Sequence, residues 1–189
     1  MNDDLKNKIK KSIENKEIFI LRNSFIDVPS WDNFINLIDF VTSEEYVSSG
    51  IRKKAIGYNW DLYTRIADPV DIRTGKNYNN IIPQLDDVIK LFEYIFEEKT
   101  PYSECYINFS RHAEKLNPHT DQWTAVSWNC IGQVEWKIYD MNKNAISYIL
   151  NPGDIIVIPK GVFHSAYPLS PRASISFGYD MNSDIQSDN

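Results

Sequence analysis

The sequence is poor in the features that mark several large protein classes. Its 189 residues contain only two cysteines, Cys105 and Cys130, and these lack the close Cys-x-x-Cys spacing of a zinc or redox motif. No run approaches 18 apolar residues, and the amino-terminal segment MNDDLKNKIKKSIENKE has no apolar stretch of the kind found in secretory signals. We therefore expect a cytoplasmic protein with reduced thiols and no membrane partner.

Positive charge is also scarce. The formal net charge is -6, and the short run KNKIKK at residues 6–11 is the longest lysine-rich stretch. Neutralising the phosphates of a duplex needs many cationic side chains, so a nucleic-acid partner is not expected, although the charge alone does not exclude one. Hydrophobic residues make up 42% and aromatic residues 13% of the chain, which is globular composition. The length predicts a single domain over residues 1–189.

The first hundred residues predict helical and strand support for the second half of the chain. Residues 1–16 are predicted as a polar surface helix, and EIFILR at 17–22 as a strand. Ser30 is placed to cap a second helix, and a third begins near Pro83. Each of the last two has one apolar face with the i, i+3, i+4, i+7 period. These faces comprise Phe34, Leu37, Ile38 and Val41 in one helix and Leu85, Val88, Ile89, Phe92, Ile95 and Phe96 in the other.

From residue 102 onward the period changes from that of a helix to that of a strand. QVEWKIY alternates strictly, with Val134 and Trp136 on one face and Lys137 on the other. Similar short segments follow at about ten-residue spacing between Gly, Pro and Asn turn signals, as sandwiches and small barrels require. They are CYINFS, WTAVSWNC, SYIL, IIVIP and ASISFGY. We predict a mostly β fold with flanking helices (α+β), a β core over 101–180, and a flexible tail at 181–189.

His119 and Asp121 form a His-x-Asp pair, a spacing that turns both side chains to one side of an extended chain. Two histidines and one carboxylate commonly hold iron(II) in oxygen-activating enzymes, with three positions left open. Taken alone, the pair is a weak signal and is more typical of a surface turn. The chain has three histidines, and His164 ends GDIIVIPKGVFH, where Gly153 opens a strand and the Pro-Lys-Gly turn returns the chain. His112, the remaining histidine, is predicted as a solvated loop residue.

This second segment resembles the second sequence motif of the cupin superfamily, and the His-x-Asp pair resembles the first. Gly132, eleven positions after Asp121, lies where cupins place a glycine, but the usual metal-binding glutamate is replaced by Ala125. A three-ligand site is similar to the JmjC and ribosomal-oxygenase branch of 2-oxoglutarate oxygenases. The resemblance implies a double-stranded β-helix (cupin or jelly-roll) barrel and Fe(II) bound by His119, Asp121 and His164, with 2-oxoglutarate and O2 as co-substrates.

An oxygenase of this kind must also hold the distal carboxylate of 2-oxoglutarate, and a guanidinium suits a carboxylate because it donates two parallel hydrogen bonds. Arg172 and Ser174, eight and ten positions after the last ligand, resemble the Arg-x-Ser pair of many such enzymes. JmjC relatives place a basic residue fifteen positions after the first histidine, and Val134 occupies that position here. Lys137 is a second candidate, although alternation puts it on the other face of the strand. An exposed strand cation is the alternative for Arg172.

Tyr106 and Asn108, on the strand before the His-x-Asp pair, are further candidates for contact with the bound acid or substrate. The nearby tryptophans, by contrast, are predicted to pack the core. The segment 43–80 has no sustained period and contains GYNWDLYTRI, which we expect to cover the metal site and to help select the substrate. The alternative is that this segment is an ordinary surface loop packed on the helices.

The resemblance implies that the protein is a hydroxylase. Because ribosomal-oxygenase relatives act on polypeptides, a protein or peptide side chain is the expected substrate by analogy alone. The alternative is a non-oxidative cupin, either an isomerase or epimerase or a binding module. The sequence leaves open the identity of the substrate, hydroxylation against demethylation, and whether a homodimer forms.

Overall fold

The computed structural model describes residues 3–44, 70–72, 81–100, 103–109, 111 and 116–179. These residues form three helices and ten strands. The helices are α1 (Asp3–Glu14), α2 (Trp31–Glu44) and α3 (Leu85–Phe96). The strands are β1 (Phe19–Leu21), β2 (Val70–Ile72), β3 (Ser103–Asn108), β4 (Leu116–His119), β5 (Thr124–Ile131), β6 (Val134–Tyr139), β7 (Ala145–Leu150), β8 (Ile155–Ile158), β9 (His164–Pro168) and β10 (Arg172–Tyr179).

The helices begin and end where the sequence provides the required chemistry. Ser30 caps α2 as predicted, because its Oγ accepts a hydrogen bond from the Asn33 amide at 3.4 Å while the Asn33 side chain accepts one from the Ser30 amide at 2.9 Å. Helix α3 starts two residues after Pro83 and ends at Glu97, which adopts a left-handed conformation with φ 58°. Most residues of the two predicted apolar faces pack into the core: Phe34, Leu37, Leu85, Val88, Phe92 and Ile95 are buried, and Ile38, Ile89 and Phe96 are partly buried. The side chain of Val41 lies outside the described part of the chain.

The strands form two antiparallel sheets. The larger has the order β1-β8-β5-β10-β3-β2 and the smaller the order β4-β9-β6-β7. The mostly β class with flanking helices is therefore confirmed. Among the described residues no strand pairing joins the two sheets, so closure into a barrel stays a prediction.

Alternation along the strands of the larger sheet separates two cores. One face packs against all three helices, and its buried residues include Ile107, Val126, Trp128 and Ile175. The opposite face packs against the smaller sheet through a second, smaller cluster. That cluster comprises Ala125, Ile156 and Ile158 of the larger sheet with Val134, Trp136, Leu150 and Ala166 of the smaller one. The space between the sheets is therefore packed at one end, and the predicted site residues lie toward the other.

Two strands were not predicted from the sequence. Strand β4 contains Pro118, which cannot donate to a ladder, and it is tolerated because β4 is an edge strand. Strand β2 lies inside the segment expected to be a long loop. The rest of that segment after residue 44, His112 and the tail at 181–189 lie outside the described residues, so the expectations placed on them stay predictions.

Both cysteines are free and buried. In the described part of the chain no helix combines the length and apolar character needed to cross a membrane.

Candidate metal centre and cleft

The three predicted metal ligands meet at one end of the smaller sheet. His119 is the last residue of β4 and His164 the first of β9, and the two are directly paired in the antiparallel ladder. Asp121 follows two residues after β4, in the turn that leads to β5. Because directly opposed residues project from the same face of a sheet, the pairing places both imidazoles beside the carboxylate.

The carboxylate of Asp121 lies between the two rings. Its oxygens are 3.5 Å from Nε2 of His119 and 3.5 Å from Nε2 of His164, and one donor atom from each residue falls within 4.8 Å of the others. Ligand atoms about 2.1 Å from one ion and at right angles would be roughly 3 Å apart. The observed separations are therefore close to those of a bound site, and the donor set of two imidazoles and one carboxylate is that of a facial site for iron(II).

Hydrogen bonds fix the orientation of both histidine rings. Nδ1 of His119 lies 2.7 Å from the carbonyl oxygen of Asn117, and Nδ1 of His164 lies 2.9 Å from that of Val162. A proton on each Nδ1 donates to the carbonyl and leaves the Nε2 lone pair for a metal. Each histidine ring is thus held by the backbone carbonyl two residues before it.

Burial sets the charge state of the second histidine. Burial lowers the pKa of His164 below its ordinary value, outweighing the Val162 carbonyl and the Asp121 carboxylate, which raise it. The neutral imidazole, the form that binds a metal, is thereby favoured. Trp136 covers this ring from the core side, with the ring centroids 5.7 Å apart.

The two sequence motifs are also joined through the backbone. The amide of Gly161, in the turn between β8 and β9, donates to the Asp121 carbonyl at 3.0 Å. Gly161 has φ +81°, a left-handed conformation that glycine adopts without strain. The turn before His164 therefore positions Asp121 as well, a link that spacing in the sequence does not reveal.

A cleft runs from the three ligands into the space between the sheets. Its lining consists of Tyr106, His119, Asp121, Trp123, Ala125, Ser127, Trp136, His164, Ala166, Arg172, Ser176 and Phe177. Ala125 is thus present at the cupin glutamate position and contributes only a methyl group, so the described lining offers three metal ligands and no fourth.

Arg172 is the one cation among the described residues that line the cleft. Its side chain is buried, and its Nε donates to Oδ1 of Asn108 at 2.7 Å, which orients the guanidinium plane. Burial lowers the pKa of Arg172 to about 10, and Tyr106 and Cys105 oppose the shift, so the group stays cationic at neutral pH. Among the described residues no carboxylate pairs with it. A buried cation without such a partner is costly and favours an anionic ligand.

The other four candidates for cofactor contact have different surroundings. Tyr106 lines the cleft, and Asn108 is buried against Arg172. Ser174 is buried on β10, two residues after Arg172, and it is not among the residues that line the cleft. Its Oγ donates a hydrogen bond to Oδ1 of Asn129 at 3.0 Å. Lys137 lies on the outer face of the smaller sheet, over the Tyr167 ring and 3.7 Å from Glu135. The structure therefore brings Tyr106, Asn108 and Arg172 together and leaves Lys137 outside the cleft.

Two polar lining residues were missed by the sequence analysis. Ser127 and Ser176 face each other across β5 and β10, with their hydroxyl oxygens 3.0 Å apart. Alternation in WTAVSWNC and ASISFGY carries the signal, since a serine recurs between apolar neighbours in both segments. Their pairing depends on strand register, which the sequence does not state.

Solved structures with the same fold are known. The X-ray structure of Escherichia coli YcfD matches with a TM-score of 0.64 at 15% identity, over 89% of this chain and 52% of that one. A structure of YcfD, described as a ribosomal oxygenase, in complex with cobalt and 2-oxoglutarate gives 0.60 at 14% identity, over 89% and 50%. A complex with cobalt and succinic acid gives 0.55 at 15% identity, with the same coverages.

The expected resemblance to ribosomal oxygenases is therefore confirmed for the fold, and at this identity for the fold alone. The chain spans about half the length of these proteins. No family model matches the chain. No curated protein sequence matches it either.

Proposed function

We propose that the chain is an Fe(II)- and 2-oxoglutarate-dependent oxygenase that hydroxylates its substrate. One observation carries the proposal: the cleft holds a two-histidine, one-carboxylate cluster and, on its other wall, a buried guanidinium with no carboxylate partner among the described residues. Iron(II) at the cluster would supply the activation of O2 coupled to decarboxylation of 2-oxoglutarate. The solved relatives with cobalt and 2-oxoglutarate support this choice.

His119, Asp121 and His164 would hold the metal, with the proton of each imidazole kept at Nδ1 by a backbone carbonyl. Arg172 would hold the distal carboxylate of 2-oxoglutarate, oriented by Asn108, with Tyr106 beside it. Ser174 and Lys137 were candidates for the same role, but their contacts support Arg172 in preference to either. Trp123 and Trp136 would keep bulk water from the metal side of the cleft.

The remaining parts of the proposal follow from the resemblance. The two sheets would close as a double-stranded β-helix barrel, with residues 1–189 as a single domain. The substrate would be a protein or peptide side chain, as the description of YcfD as a ribosomal oxygenase suggests. The protein would act in the cytoplasm.

The alternative is a non-oxidative cupin that uses the metal without 2-oxoglutarate. Iron-dependent formation of succinate from 2-oxoglutarate, followed by NMR without added substrate, separates the two functions. We expect His164→Ala to abolish succinate formation and to weaken iron binding by more than about 100-fold, since even loss of a partner of a metal ligand costs 10- to 100-fold. Glu135→Gln, on the outer face of the same sheet, is the matched control and should behave as wild type.

Full iron content in the His164→Ala protein after dialysis would contradict the metal site. Iron binding without any succinate, in the wild-type chain, would instead favour the non-oxidative alternative.

A further inference from the structure

The two histidine ligands belong to a row of residues that crosses the whole smaller sheet. His119 pairs with His164, His164 pairs with Ile138 of β6, and Ile138 pairs with Ile146 of β7. Directly opposed residues in an antiparallel sheet share a face. The metal-binding end of the sheet therefore continues, in register, into two isoleucines, which we term the apolar ledge.

Exposure increases along this row from His164 outward. His164 is 2% exposed and Ile138 is partly buried, whereas Ile146 is 63% exposed. The row nearest the packed end contains Val134 and Leu150, paired with each other and both fully buried. Burial thus decreases from the packed end to the metal end on one face of the sheet. The ledge therefore lies at the same end of this sheet as the metal cluster, beside the residues that line the cleft.

The ledge lies within reach of a group held at the metal. Neighbouring strands are about 4.8 Å apart, so Ile138 is roughly 5 Å and Ile146 roughly 10 Å from His164 across the sheet. A C–H bond must approach within about 3.5 Å of the reacting atom to be oxidised. A side chain in that position on the β6 side would contact Ile138, and its next apolar atoms would contact Ile146.

The charges of the described residues near the metal cluster do not favour a cationic substrate group. Among the described residues that line the cleft, Asp121 is the one carboxylate, and it belongs to the metal cluster. Asp140, at the β6–β7 turn, accepts hydrogen bonds from the Asn142 amide at 2.8 Å and from the amide and side chain of Asn144 at 2.8 and 3.0 Å. Both carboxylate oxygens of Asp140 therefore accept hydrogen bonds within the β6–β7 turn.

We propose that the apolar ledge is a substrate subsite that selects an uncharged, aliphatic side chain for oxidation. This inference rests on the proposed metal site and deepens the proposed function by naming the class of side chain. An exposed isoleucine at the end of a strand has no packing role that requires it, but one in register with two metal ligands covers substrate carbon from water.

Paramagnetic relaxation tests the ledge without turnover. The full chain is loaded with Mn(II), and proton relaxation is compared for two probes, N-acetyl-leucine amide and N-acetyl-arginine amide. We expect the leucine methyl protons to relax faster than the arginine methylene protons. Ile146→Asp should lower the leucine effect by about fivefold, as expected for losing about 40 Å² of apolar contact.

Ile149→Asp is the matched control, because Ile149 is 48% exposed on the same strand but projects from the opposite face. It should leave the leucine effect unchanged, and Ile138→Ala should lower it as a second test. Equal losses in the two aspartate variants, or a wild-type preference for the arginine probe, would overturn the ledge alone. If EPR detects no Mn(II) binding by the wild-type chain, the metal site itself fails.

Discussion

In the six-stranded sheet, the two faces of β3, β5 and β10 differ in chemistry, although the same strands supply both. The helix side carries buried apolar residues such as Ile107, Val126, Trp128 and Ile175. The cleft side of the same strands carries polar groups, including Asn108, Ser127, Asn129, Arg172, Ser174 and Ser176. Alternation along β3, β5 and β10 thus gives one face to the apolar core and the other to the polar groups beside the cleft.

The cleft side tolerates burial because its polar groups satisfy one another in pairs across the strands. Arg172 donates to Asn108 at 2.7 Å, Ser174 to Asn129 at 3.0 Å and Ser176 to Ser127 at 3.0 Å. Buried polar groups are stable when paired in this way. Of these pairs, only the one that contains Arg172 has several further hydrogen-bond donors. The guanidinium can therefore bind a ligand while it keeps its hydrogen bond to Asn108.

A substitution on the helix side should change stability and leave ligand binding alone. Trp128 is fully buried and packs edge-on against Phe25, with ring centroids 5.9 Å apart. We expect Trp128→Ala to lower the free energy of unfolding by about 3 to 5 kcal/mol, measured by urea denaturation. The 2-oxoglutarate requirement of the folded fraction should be unchanged.

Trp128→Phe sharpens this test. The indole Nε1 is buried without a hydrogen-bond partner among the described residues, so phenylalanine removes a desolvated N–H as well as some volume. The two effects oppose each other, and the loss should stay below about 1 kcal/mol. A changed 2-oxoglutarate requirement in either variant would break the separation between the faces.

On the cleft side, the opposite outcome is expected for Arg172→Met. Removing one partner of a buried charge pair costs about 2 to 5 kcal/mol, so the 2-oxoglutarate requirement for succinate formation should rise by roughly 30-fold to several thousand-fold. Iron content should stay at the wild-type level. Lys137→Met, on the outer face, is the matched control and should change neither quantity. If Lys137→Met raised the 2-oxoglutarate requirement and Arg172→Met did not, Lys137 would be the residue that binds the distal carboxylate.

Much of this site was predictable because its signals are local. Strict alternation in QVEWKIY placed Lys137 on the face opposite Val134 and Trp136, and the structure agrees. The turn signals before His164 predicted that it begins a strand, as β9 does. Strand β4 was missed, because Pro118 and the absence of alternation in Leu-Asn-Pro-His hide a strand that only pairing with β9 stabilises.

Contacts that depend on register could not be predicted. Ser127 and Ser176 are 49 positions apart, and only the alignment of β5 with β10 brings their hydroxyls together. The register of that pair also shifts between Ala173 and Ser174, an irregularity that the sequence pattern does not indicate. Motif spacing therefore located Arg172 but did not determine what Ser174 contacts.

Ser174 gives the smallest and most specific test of the comparison, because the Arg-x-Ser pattern and the structure assign it different roles. Its hydroxyl donates to Asn129, whose side-chain amide donates to the Gly132 carbonyl at 2.7 Å and, more weakly, to that of Leu150 at 3.4 Å. Through Asn129 it therefore supports the turn between β5 and β6. We expect Ser174→Ala to lower the free energy of unfolding by about 1 kcal/mol, a shift in Tm of roughly 2 to 4 °C.

In the same variant, the 2-oxoglutarate concentration needed for succinate formation should stay within about twofold of wild type. The reason is that the Ser174 hydroxyl makes no direct hydrogen bond to the ligand in the proposed site, so its removal should change binding little. Ser176→Ala is the matched comparison: it also removes one buried hydroxyl from β10, but from a residue that lines the cleft. A requirement raised about tenfold by Ser174→Ala, with Tm unchanged, would restore the serine to the carboxylate site. That result would also mean that the polar face binds its ligand through two residues of β10 and not through Arg172 alone.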